Sequence, residues 1–172
     1  MSDEEIYPGF PAPAGFGTIP VEEIPNSTGL ELLQRIVRGE YPAPPISRRL
    51  DFGLAEAELN RVVFKGLPSR DHYNPLGGVH GGWMATILDS SLACAVMTTL
   101  EKGEGYTTVE FKVNLIRPLS EATGEVSCEG LVVSRGRTIA VSEARLTDKA
   151  GKILAFGTET CSIFPIEKLL RS

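Results

Sequence analysis

The stretch NPLGGVHGGWMATILDSSLACAVMTTL, residues 74–100, decides the fold. It opens with turn residues that end in His80-Gly81-Gly82 and continues as one long apolar run. Trp83, Ile87, Leu88, Leu92, Ala93, Val96, Met97 and Leu100 leave little polar surface on any side, so the spacing predicts a helix over 82–100 that must be buried. It does not predict a membrane span, because Thr86, Asp89, Ser90, Ser91, Thr98 and Thr99 interrupt the run and no charged flanks frame it.

Outward from that helix the period changes to two. Val109, Phe111, Val113 and Leu115 should face one way and Glu110, Lys112 and Asn114 the other, until Pro118 stops the strand. Three more strands are expected in EVSCEGLVVS, RTIAVSEARLTD and KILAFGTETCSIF, joined by turns at Arg135-Gly136 and at 148–151. Upstream, RRLDFGLA and ELNRVVFKG read as two paired strands. One apolar helix followed by an antiparallel meander predicts an α+β domain over 46–165, its sheet wrapped around the helix. Residues 1–45 read as a Pro-rich extension, with an extended arm from Met1 to Asn26 and a short helix between Ser27 and Arg38. In that helix Leu30, Leu33, Ile36 and Val37 repeat at helical spacing before Gly39 and Pro42 end it, and residues 166–172 form a tail.

Composition excludes several classes of function. A formal net charge of -5 argues against a broad nucleic-acid surface, which works by neutralising many phosphates at once. The start, MSDEEIYPGF, has acidic residues where a secretory signal has basic ones, so a cytoplasmic protein is expected. Cys94, Cys128 and Cys161 are odd in number and far apart, which suits free thiols. With only His72 and His80 to add, no clustered metal-ligand set is expected.

Chemistry concentrates at the helix start and seven residues beyond it. Gly81 and Gly82 have no side chain to shield their backbone N–H groups, which as the first donors of a helix should be unpaired and sit at its positive end. They could hold an oxygen that gains negative charge, although paired glycines alone require only a tight turn. The Lys-Ser/Thr of a P-loop is missing, so phosphate cradling of that kind is excluded. Asp89 interrupts an apolar helix, where burial should raise its pKa and suit it to be a base or nucleophile; a structural Asp satisfied by Ser90, Ser91 or a backbone donor is the alternative. Gly82 and Asp89 lie roughly 10 Å apart along a helix at 1.5 Å per residue. A reacting carbon needs both groups about 3 Å away, so two antiparallel copies related by a two-fold axis are expected to share each site.

Over about Ile46 to Phe164 the chain resembles the hotdog-fold acyl-CoA thioesterases of the phenylacetate-degradation (PaaI-like/Them2) family. Asn74, His80-Gly81-Gly82, Asp89 and the segment from Tyr106 to Pro118 carry the resemblance. It implies a hotdog fold and hydrolysis of an acyl-CoA by a homodimer or tetramer, with no cofactor apart from the coenzyme A of the substrate. Gly81 and Gly82 would polarise the thioester carbonyl, His80 would shape the turn and contact that carbonyl, and Asn74 would orient the water or the thioester. Thr108, with Thr107 beside it, matches the hydroxyl that the family places near the carboxylate. Coenzyme A would run past Arg135, Gly136 and Arg137, with Arg117 as a further phosphate contact, and Trp83, Met84, Met97 and Phe111 are candidates for the acyl pocket. A hotdog dehydratase or hydratase and a non-catalytic acyl-CoA-binding protein are the alternatives. The first would pair a catalytic His with Asp or Glu in other motifs, and the second has no need of Asp89.

Overall fold

The computed structural model describes residues 14–167. Helix α1 (Gly29–Val37) begins with a reciprocal cap: Thr28 Oγ1 accepts from the Glu31 amide at 3.2 Å, and a Glu31 carboxylate oxygen accepts from the Thr28 amide at 2.8 Å. Helix α2 (Pro45–Leu50) occupies a stretch partly expected to be strand. Pro45 presets the first helical turn, so Arg48, Arg49 and Leu50 are helical and the strand begins only after Asp51 turns left-handed. Strands β1 (Phe52–Glu58) and β2 (Arg61–Gly66) form a hairpin whose tight turn places Asn60 at φ 68°.

The long helix α3 (Gly81–Met97) starts one residue earlier and ends three residues sooner than its apolar run. It is followed by β3 (Glu104–Leu115), β4 (Val126–Arg135), β5 (Ile139–Thr147) and β6 (Ile153–Pro165). The six strands make one antiparallel sheet in the order β1-β2-β4-β5-β6-β3, wrapped around α3 in the hotdog arrangement. Ile87, Leu88, Leu92 and Val96 are fully buried against Val62, Cys128, Leu146 and Cys161. Each such side chain contributes roughly 1.5–3 kcal/mol by leaving water. Close approach of helix to sheet requires Gly130 on β4, where a Cβ would lie 2.2 Å from the Ser91 carbonyl oxygen.

The N-terminal segment is less extended than its prolines suggest. Phe16 bridges to Ala43, Ile24–Asn26 form a 3-10 turn, and Leu33 on α1 joins the core. The expected arm over its first 13 residues and the tail beyond 167 lie outside the described residues.

Strand β3 departs from simple alternation. Its pairing with β6 skips Val109 between Thr108 and Glu110, so Val109 is a bulge residue and 61% exposed. Phe111 and Leu115, on the apolar side of the strand, are also exposed. β3 is an edge strand, and among the described residues no strand pairs beyond it. The three cysteines are free thiols, and among the described residues no helix is long and apolar enough to cross a membrane.

Candidate active site

The loop before α3 is built by its own polar groups. Asn74 Oδ1 accepts from the Leu76 amide at 2.9 Å and the Gly78 amide at 3.4 Å, which closes the Pro-Leu-Gly-Gly turn. His80 is the residue that caps α3, and its Nδ1 accepts from the Gly82 amide at 2.8 Å. This corrects the expectation of two free glycine donors: Gly82 is occupied, the Trp83 amide donates to the His80 carbonyl, and Gly81 keeps its N–H unpartnered among the described residues. The bond also sets the imidazole tautomer. Because Nδ1 accepts, the proton of a neutral ring sits on Nε2. A Cβ at position 82 would come within 2.9 Å of Nδ1, so a side chain there would displace the capping ring.

Asn74 and Gly81 line one cleft of about 320 Å³ with Met84, Leu115 and Arg117. His80, Gly82, Trp83 and Thr86 line another of about 440 Å³ on the other side of the helix start. Trp83 is itself nearly buried: its indole N–H donates to the Leu50 carbonyl at 2.7 Å and its ring stacks on His72.

Asp89 lies two turns along α3 and lines neither cleft. It is half-buried, makes no hydrogen bond or ion pair with a described residue, and burial pushes its carboxyl above the usual carboxylate range. Neither Ser90 nor Ser91 satisfies it, and the Ser91 hydroxyl instead donates to the Ile87 carbonyl at 2.9 Å. Thr108 donates to Glu159 Oε1 at 2.8 Å, while Thr107 faces solvent.

Sequence reasoning missed Glu159. It lies on β6, is 0% exposed, and accepts a second bond from Cys161 Sγ at 3.0 Å. The signal was present in the period of that strand: positions 157, 159, 161 and 163 share the inward face, so one glutamate was bound to be buried.

The arginine hairpin sits at the far end of α3. Arg135 donates to Glu104 at 2.6 Å, to Thr99 Oγ1 at 3.2 Å and to the Gly136 carbonyl, so its guanidinium is largely spent inside the chain. Arg137 is exposed, as is Arg117, which donates to the Ile153 carbonyl. Of the acyl-pocket candidates Met84 is buried, Met97 partly so and Phe111 41% exposed. Among the described residues no group of three or more His, Cys, Asp or Glu side chains could hold a metal ion.

Comparison with known proteins supplies the context. The family model described as Thioesterase superfamily matches residues 76–155. Mouse acyl-coenzyme A thioesterase 13 is 28% identical over 130 residues, which are 74% of this chain and 91% of that protein. A Saccharolobus solfataricus protein that carries an esterase name is 30% identical over 112 residues, 64% of this chain and 77% of its own. The crystal structure of a phenylacetic acid degradation-related protein from Ralstonia eutropha JMP134 superposes with a TM-score of 0.68 at 26% identity, covering 76% of this chain and 98% of that one. The sheet wrapped around α3, the matched segment that holds both the glycine turn and Asp89, and these relatives agree: the chain belongs to the thioesterase superfamily and is a thioester hydrolase of the hotdog fold.

Proposed function

We propose that the protein hydrolyses an acyl- or aryl-CoA thioester to the free acid and coenzyme A, in active sites shared between two protomers. The observation that carries this reading is the separation of Asp89, half-buried and unpartnered, from the free Gly81 amide on the same helix. Eight residues at 1.5 Å each put them ~12 Å apart. A thioester carbon reached by both needs a second copy of α3 running the opposite way, and the exposed apolar edge of β3 offers the surface for it.

In such a pair the Gly81 N–H of one protomer donates to the thioester oxygen, at the positive end of the helix, and draws electron density from the carbonyl carbon. His80 Nε2–H is a further donor, in the neighbouring cleft at the helix start, and the Asn74 amide nitrogen, in the cleft of Gly81, is free to orient the substrate because its oxygen is held in the turn. Asp89 of the other protomer takes a proton from water as the water oxygen bonds to the carbon; the C–S bond then breaks, and the departing sulfur takes that proton from Asp89 and leaves as the thiol of coenzyme A. Direct attack by Asp89, which expels the thiolate and forms an acyl anhydride that water then hydrolyses, leads to the same products. The antiparallel arrangement also brings the hairpin at the C-terminal end of one α3 beside the N-terminal end of the other, where Arg137, and Arg135 through its rim, suit the nucleotide phosphates.

D89N should lower kcat at least about 100-fold on the best acyl-CoA substrate, the lower end of what loss of a general base removes. Mixing is the sharper test. D89N and N74A protomers, each impaired alone, should recover roughly a quarter of wild-type activity when unfolded together and refolded, because half the dimers are mixed and each carries one intact site. No recovery would place the whole site within a single protomer.

A further inference from the structure

We propose that Glu159 is a positioning residue for hydrolysis: by accepting the Thr108 hydroxyl proton it turns the lone pairs of that oxygen toward the water that Asp89 activates. The inference rests on the assignment of Asp89 above. A threonine hydroxyl has one proton and two acceptor sites. With its proton committed to Glu159 Oε1 at 2.8 Å, Thr108 can act toward a water only as an acceptor. A water that gives one proton to Asp89 and the other to Thr108 has its lone pair left to aim at the carbonyl carbon. Thr108 without Glu159 could donate to the same water and hold it the wrong way round.

The surroundings of Glu159 disfavour a charge on it. It is 0% exposed, and its second oxygen has no described partner. Ser142, directly opposite on β5, is also fully buried with an unpartnered hydroxyl. Asp89 on α3, Glu110 on β3 and Cys161 on its own strand act on Glu159, and Glu159 in turn acts on Cys94 and Tyr106; none of these is a cation. Burial pushes its carboxyl upward, the Cys161 and Thr108 bonds pull it back, and Asp89 and Glu110 add to the rise. Asp89 also acts electrostatically on Cys161, the cross-strand partner of Thr108, so the charge of its carboxyl is felt at this same patch.

The test uses the full-length oligomer and the acyl-CoA it turns over fastest. E159L and T108V should each lower kcat roughly tenfold or more with KM changed less than about twofold, the pattern of a group that acts on the attacking water rather than on binding. The double variant should be no slower than the slower single one, because Glu159 acts only through the Thr108 hydroxyl. E159Q should stay within about threefold of wild type, since the amide oxygen still accepts from Thr108. Oligomer mass and thermal melting report folding, and E159M, with a flexible side chain of similar size, replaces E159L if the latter does not fold. Additive losses in the double variant, an E159L or E159M kcat within about twofold of wild type, or an E159Q as slow as E159L would each overturn the proposal. D89N keeps the two claims apart. A dead D89N beside a fast E159L removes only the role of Glu159, whereas an active D89N removes the assignment beneath it.

Discussion

At the β1 edge of the sheet α1 lies across the strand, with Leu33 2% exposed and Gln34 donating to the Ala57 carbonyl at 3.2 Å. At the β3 edge Val109, Phe111 and Leu115 are 61%, 41% and 53% exposed, and Ile116 beyond the strand is 49% exposed. One edge is closed by the chain itself, and the other presents apolar side chains beside backbone groups with no strand partner among the described residues. An edge left in that state invites pairing with another strand. Asp89, the carboxylate proposed above to act in hydrolysis, lies on the half-buried stripe of α3 that also holds Thr86 and Ala93. Structural closure and catalytic assembly are thus assigned to opposite edges of one sheet.

The contrast can be broken most directly at Phe111. Phe111→Lys would set two like charges near a two-fold axis, and we expect monomers by light scattering with activity at nanomolar subunit concentration down by roughly 100-fold. A dimeric, active F111K protein would move the interface elsewhere. On the closed edge, Leu33→Ala should lower stability by about 2–5 kcal/mol in denaturant titrations and leave kcat unchanged at temperatures where the protein is folded. A changed kcat would show that α1 reaches the site.

Asp89 sharpens the comparison by the smallest effect. Its folded pKa is raised by burial, so ionisation opposes folding; the penalty grows as pH rises from the unfolded carboxylate value through the folded one and is complete above it. Scanning calorimetry at pH 7 should therefore find a higher Tm for D89N than for wild type, with the difference vanishing below about pH 3. By the same shift, kcat/KM should fall as pH drops through a value above the ordinary Asp pKa of about 4. A D89N protein that melts lower would mean that Asp89 holds a stabilising contact.

Much of the fold is legible in the amino-acid sequence. The apolar run of α3, the two hairpin turns and the alternation in β4, β5 and β6 are local signals, and the corresponding elements form where those signals lie. Asp89 can be singled out because one carboxylate in an apolar helix is conspicuous in one dimension. The helix start is read less well, since the pairing of the Gly82 amide with its neighbour His80 depends on a side-chain rotamer. Glu159 escapes notice because its partner Thr108 lies 51 residues away, and only the β3–β6 register brings them together.

Period and turn chemistry specify the order and kind of the elements because each depends on residues within a few positions of one another. Long-range packing alone chose which edge of the sheet stays uncovered, committed Arg135 to Glu104, and made the β3 bulge that exposes Val109. Those outcomes depend on which strand becomes an edge and which charges meet across it, and no local pattern encodes a contact that exists only once the sheet has wrapped around its helix.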